Sequence, residues 1–267
     1  LRLRVLFHPP VAQLPELLRH QVRSGEGTDW LALGGIKLFL DGSLGSRTAW
    51  MLEPYEGGSD HGLPLADPGN ARRVVEAAAG AGIACTIHAI GDAAVRQALD
   101  LLAPLPPVAL PHRIEHFQCV HPADLGRAAA HGIVLSMQPG HLPADVLLAE
   151  ERWGARSSRA YPFRSLLHSG AVLAFGSDVP VTTLDPRPGI AAAMARVAAD
   201  GSFGGGWHPG ERLDFESSLR AYTVGNAIAG GVAGRRGRLA PGYDADLVVW
   251  SMDADASRGD WLAVRDA

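Results

Sequence analysis

The chain has 267 residues, of which 47% are hydrophobic and 19% charged, a balance that excludes disorder and supplies one large core or two small ones. A net charge of −4 gives no general attraction to nucleic acid or anionic lipid. Every apolar run is broken by Gly, Pro or charge before it reaches membrane-spanning length. Cys85 and Cys119 are the two cysteines, too few for a disulfide framework and both in apolar stretches. They read as reduced core thiols of a cytoplasmic protein.

In chain order, strands are predicted at residues 3–7, 35–40, 83–88, 112–116, 133–137 and 172–176, each nearly continuously apolar as parallel strands covered on both faces are. Helices are predicted at 11–23, 71–81, 93–102, 122–131, 159–169, 186–199 and 214–229, with Asp92 and Asp185 as N-caps and Pro122 and Pro186 in first turns. This alternation implies βαβ units and a parallel sheet. After residue 229 four glycines (Gly230, Gly231, Gly234, Gly237) break the chain before a polar turn at 240–244 and a strand at 246–250. That tail reads as a hairpin of a small β unit. The expected domains are therefore 1–229 and 230–267.

The polar residues that interrupt the strands occupy one kind of place. Lys37, the single lysine among 24 basic residues, lies within the second strand. His88 ends the third, His116 ends the fourth, and Asp178 follows the last. In a parallel α/β barrel the carboxyl ends of all strands meet on one face, so two imidazoles, a carboxylate and a lysine converge there as a divalent-metal site with Zn2+-type ligands. A lysine can also lose its proton and act as a nucleophile toward CO2, which an arginine cannot. Each residue has a plainer alternative: a hydrogen-bonded strand-end His, a capping Asp, a snorkelling Lys.

The run Gly35-Ile36-Lys37-Leu38-Phe39-Leu40-Asp41-Gly42-Ser43-Leu44-Gly45-Ser46-Arg47-Thr48-Ala49 resembles the amidohydrolase superfamily, and more narrowly the branch of YtcJ-like proteins and N-substituted formamide deformylase. His88-Ala89-Ile90-Gly91-Asp92, Arg113-Ile114-Glu115-His116, Ser136-Met137-Gln138-Pro139 and Gly176-Ser177-Asp178-Val179-Pro180 match that branch in order and approximate spacing. Residues 237–249 resemble the return strands of its β-sandwich domain. The resemblance implies a (β/α)8 barrel with one or two metal ions, most simply zinc. By position Lys37 would be a metal-bridging carboxylated lysine, and His88 and His116 would be ligands. Asp178 would both bind metal and shuttle a proton during hydrolysis of a carbon–nitrogen bond in a small amide or formamide.

Around these, Asp41, Ser43 and Arg47 follow the lysine strand and read equally as pocket residues or as turn chemistry. Gln138 and His141 follow the next-to-last strand as pocket-lining candidates, with a surface role for His141 equally open. Glu115, one residue before His116, is expected on the opposite face, toward the helices and paired with an arginine. Trp50, Trp153 and Trp207 lie in loops as cover or packing.

The family pattern also calls for a His-x-His pair on the first barrel strand, and no such pair occurs in this chain. Taking 3–7 as the third barrel strand gives a partial TIM barrel (strands three to eight) with part of a small β-sandwich. On that reading the chain is the C-terminal portion of a longer hydrolase and is inactive alone. Bare edges at 3–7 and 172–176 would then favour a homo-oligomer. A non-catalytic regulatory or small-molecule-binding relative is the alternative. A dinucleotide-binding dehydrogenase is set aside because no G-x-G-x-x-G follows the first strand.

Overall fold

A computed structural model describes residues 3–249. Seven short strands, β1 (Val5–Phe7), β2 (Leu31–Leu33), β3 (Gly35–Phe39), β4 (Ala84–Ala89), β5 (Arg113–His116), β6 (Val134–Met137) and β7 (Leu173–Phe175), all pair in parallel. β3 to β7 form a five-stranded sheet in sequence order, and β1 pairs with β2. Only Gly34 separates β2 from β3, and an isolated bridge from Pro10 to Lys37 carries the line of β1 alongside β3. The result is a curled parallel sheet, part of a TIM-barrel-like domain, as the alternating pattern predicts. β2 was not anticipated.

The helices are α1 (Leu14–Arg19), α2 (Pro68–Gly80), α3 (Asp92–Leu102), α4 (Arg127–Ala130), α5 (Leu142–Trp153), α6 (Phe163–His168), α7 (Pro186–Ala195), α8 (Phe215–Arg220) and α9 (Asn226–Ala229). α2 buries Ala71, Val75, Ala78 and Ala79, a single helical stripe. It starts at Asp67, whose carboxylate accepts from Asn70 N, with Pro68 in the first turn. Asp185 caps α7 in the same way. Asp92 does not cap α3: Gly91 holds that position, and Asp92 Oδ1 instead accepts from Leu52 N at 2.8 Å. α7 stops at Ala195 because Arg196 turns left-handed, four residues short of the predicted end. The predicted helix at 214–229 runs as α8, a π-helical turn (Ala221–Gly225) and α9. α5 has no counterpart in the sequence reading.

Parallel register sorts the side chains into two faces. Ile36, Leu38, Cys85, Ile87, Ala89, Ile114, Leu135, Met137, Leu173 and Phe175 belong to the main core beneath the helices. Opposite them lies the barrel-interior face, where Lys37, Thr86 and Arg113 form one row and Phe39, His88, Glu115 and Ser136 form the next. Cys85 and Cys119 are free, buried thiols. Trp153 and Trp207 are buried as packing residues.

The two predicted edges differ. β1 is open: Leu3, Val5 and Phe7 are 61%, 42% and 50% exposed. β7 is not. Gly225 lies so close that a Cβ there would sit 1.9 Å from the Leu173 carbonyl oxygen, and Asn226 Nδ2 donates to Phe175 O at 2.9 Å. Residues 246–249 form no strand and are exposed. The remainder of the predicted β-sandwich unit lies outside the described residues. No helix among them is long and apolar enough to cross a membrane.

Candidate metal centre

The carboxyl ends of β3, β4, β5, β6 and β7 bring the candidate residues to one rim. Lys37 and Phe39 share the interior face of β3, with Lys37 Nζ 5.0 Å from the Phe39 ring centroid. Phe39 and His88 rings lie 5.1 Å apart, His88 and His116 rings 4.4 Å edge to face, and His116 and His141 rings 6.0 Å in a stack.

His116 reaches this row through its backbone. Its register partner Ala89 packs under the helices, so strand alternation alone would send His116 outward. A left-handed φ of +70° at His116, followed by +46° at Phe117, turns the strand end. Such backbone is costly for a non-glycine residue and recurs at functional sites. Glu115 accordingly faces the barrel interior, not the helices, because it is in register with His88. Its pairing with an arginine holds: Arg113 Nε lies 2.7 Å from Glu115 Oε1.

One ligand atom each from His116, His141 and Asp178 lies within 4.8 Å of the others. His116 Nδ1 and His141 Nε2 are buried with no hydrogen-bond partner among the described residues. Asp178, itself left-handed at φ +53° beyond β7, is exposed. A buried polar atom without a partner costs about 1–3 kcal/mol. Two imidazoles and a carboxylate grouped this closely fit a divalent cation. Bonds of about 2.0–2.2 Å put donors roughly 3.3 Å apart around a tetrahedral ion, within reach of small side-chain adjustments.

The electrostatics favour lone pairs over protons. Burial, then repulsion from His88, Lys37 and His141, holds His116 well below the usual imidazole range. Burial also lowers His88. Its Nε2 lies 2.8 Å from Gly42 O, which can only accept, so Nε2 carries the proton and Nδ1 keeps the lone pair. Lys37 is lowered chiefly by burial; Glu115 and Asp178 oppose the shift, and Arg113 reinforces it. His8, whose Nδ1 lies 2.9 Å from Thr86 Oγ1, is pushed down to about 3 by burial, with Arg113 and Lys37 nearby.

The other predicted pocket residues are placed differently from one another. Asp41 is fully buried. Its Oδ2 accepts from Gly91 N at 2.8 Å and Trp50 N at 2.9 Å, and its Oδ1 from Ile90 N at 3.0 Å. Burial pushes its carboxyl up to about 7 against those amides. It holds the loop that presents Gly42 O to His88. Ser43 Oγ bonds Ser46 Oγ at 2.9 Å within that loop, and the exposed Arg47 lies over Tyr55 at 5.2 Å. Gln138 is buried next to His116, and its Nε2 donates to Ser136 O at 3.3 Å. His141, read from sequence as pocket or surface, joins the ligand group.

Two further residues support this arrangement: Asp145, which the sequence did not mark, and Glu115, which it placed on the helix side. Asp145, in the first turn of α5, accepts from Tyr161 Oη at 2.5 Å and from Gln118 Nε2 at 2.9 Å. Glu115 adds a carboxylate beside Lys37 and His88. The run Gln138-Pro139-Gly140-His141 directly after a strand was the available sign of the His141 position.

A curled parallel sheet with imidazoles and a carboxylate at its carboxyl rim is a scaffold that can hold a metal ion. The chain matches the amidohydrolase family model over residues 1–263 and belongs to that family. Within it, the chain is 34% identical over 260 residues to Protein LONG AFTER FAR-RED 3 of Arabidopsis thaliana, covering 94% of this chain and 44% of that one. It is 33% identical over 227 residues to the amidohydrolase-type protein YtcJ of Bacillus subtilis (strain 168), covering 84% and 43%. An uncharacterized metal-dependent hydrolase from Pyrococcus furiosus superimposes with a TM-score of 0.82 at 32% identity, over 95% of this chain and 51% of that one. The chain thus spans about half the length of these relatives.

Proposed function

We propose that this chain carries metal-binding and proton-transfer residues of a metal-dependent hydrolase acting on carbon–nitrogen bonds of small amide- or formamide-type substrates. The observation that carries the reading is the grouping of one ligand atom each from His116, His141 and Asp178 within 4.8 Å of one another, in a site where His116 Nδ1 and His141 Nε2 are buried without a hydrogen-bond partner. A divalent ion, zinc by the chemistry of these donors, would supply Lewis acidity and lower the pKa of a bound water toward about 7.

The chain's own residues do the rest. Burial keeps His88 and His116 as neutral donors, and Gly42 O fixes the His88 tautomer. Asp178 is exposed at the mouth, where its carboxylate takes the proton of the attacking water and delivers it to the leaving nitrogen. Lys37, its amine disfavoured as an ammonium by burial, is the group that CO2 converts to a carboxylated ligand. Phe39, half exposed beside Lys37 and His88, walls the site. Without a His-x-His pair the chain alone would be inactive or nearly so.

The test is hydrolysis of N-formyl and N-acyl amines by the purified chain, and by a longer protein containing it, each loaded with Zn2+ or Co2+. Turnover that is removed by chelator, restored by metal and abolished by Asp178→Asn supports the reading. Turnover of esters or phosphates with none of amides would overturn it.

A further inference from the structure

We infer that the loop after Asp178 sets substrate choice: Val179, Val181 and Leu184 form an apolar surface for a hydrocarbon group carried on the leaving nitrogen. The inference rests on the carbon–nitrogen hydrolase reading above. Within it, the substrate class is an amide bearing an N-alkyl or N-aralkyl group, not a primary amide or one with a charged substituent.

The loop keeps its apolar side chains in water and its threonine partly out of it. Val179, Val181 and Leu184 are 52%, 66% and 75% exposed, whereas Thr182 is half-buried. A single exposed valine is ordinary, but three large apolar side chains within residues 179–184, directly after a metal-ligand candidate, mark a binding surface. The arrangement is held in place. Val181 N donates to Asp178 O at 2.9 Å, and Thr182 Oγ1 donates to Ser177 O at 2.5 Å. Thr182 also packs on the residue before His141: a Cβ on Gly140 would lie 3.3 Å from Thr182 Oγ1. Asp185 then closes the loop as the N-cap of α7. The threonine ties the loop down beside the metal group, and the valines and the leucine are left facing out.

Position decides which part of the substrate meets them. Asp178 belongs to the grouped donors and is the residue that hands the proton to the leaving nitrogen in the reading above. Val179 follows it directly and Val181 turns back onto its carbonyl, so the apolar surface begins at the leaving nitrogen. Phe39 stands at the other end of the row of rings that passes through His88 and His116. Residues 179–184 carry no charge, and the next one, Asp185, is paired with Arg187 at 2.5 Å. A charged substituent would lose water there and gain no partner. A hydrocarbon gains by leaving water.

The experiment titrates the whole chain, loaded with Zn2+, by calorimetry with N-alkyl-N-hydroxyformamides, whose two oxygens chelate a metal while the nitrogen carries the alkyl chain. From methyl through propyl to pentyl, affinity should rise about twofold to fourfold per methylene. Isomeric N-methyl hydroxamic acids, with the chain on the carbonyl carbon, should gain less. Val181→Asn combined with Leu184→Asn should flatten the first series, whereas Leu18→Asn, at an exposed position on α1, should leave it steep. Circular dichroism checks that each variant is folded. A flat wild-type series with metal-dependent binding of the methyl compound overturns the inference and leaves the hydrolase reading standing. An equal or steeper gain in the carbonyl series overturns it too. So does a double variant that keeps the slope but changes the sedimentation of the chain, which would make the patch a protein interface. A methyl compound that binds no better with metal than without it would bring down the metal-dependent reading and this inference together.

Discussion

Gln118 donates a 2.9 Å hydrogen bond to Asp145 and so joins the strand end that bears His116 to the helix that follows His141. Tyr161 donates to the same carboxylate oxygen, and burial raises the Asp145 carboxyl despite both donors. Asp145→Ala would leave a buried phenol and a buried amide without an acceptor, at about 1–3 kcal/mol each. Urea unfolding should therefore show a loss of about 2–4 kcal/mol, and metal affinity should fall with it.

Arg196 is a second stitch. Its guanidinium is fully buried and donates to the carbonyls of Trp207 at 2.7 Å, Tyr161 at 2.8 Å and Ala160 at 3.2 Å. Arg196→Lys should recover little of the stability lost in Arg196→Ala, because a point charge cannot serve three carbonyls in a planar fork. Thermal melting of both variants should show losses of at least about 3 kcal/mol.

Gly225 measures how the β7 edge is closed. A Cβ at this position would lie 1.9 Å from Leu173 O and 2.9 Å from its carbonyl carbon, and backbone cannot give way as a side chain does. Gly225→Ala should push the 221–229 segment off the edge, costing at least about 2 kcal/mol. Hydrogen exchange should rise at β7 and leave β4 protected.

The β1 edge should behave oppositely. Leu3, Val5 and Phe7 are exposed along an open parallel edge, the arrangement that invites pairing with a second copy. Sedimentation of the wild-type chain should show concentration-dependent association, and Val5→Lys with Phe7→Lys should shift it to monomer. A wild-type chain that stays monomeric at high concentration would contradict this.

The fold was legible where one period dominated. β4 is buried at every position, and its nearly continuous apolar run, broken only by Thr86 and His88, reads as an interior parallel strand. α5 was not legible: Pro139, Gly140 and Pro143 punctuate its start as a loop would, yet Pro143 occupies the first turn, where its missing N–H costs nothing. Strand alternation correctly opposed Glu115 to His116 but could not say which face was interior. The left-handed turn at His116 then brought both to the same rim, a backbone choice that residue type does not announce. Asp41 shows the reverse limit. Its motif suggested a pocket, while its carboxylate serves three backbone amides 9, 49 and 50 residues away in sequence.

The most direct measurement is an anomalous difference map at the zinc edge from crystals of the chain soaked in Zn2+. The account predicts a peak bonded at about 2.0–2.2 Å to one atom each of His116, His141 and Asp178. A fully soaked crystal with its peak elsewhere, or with those three side chains turned away from any ion, would contradict it.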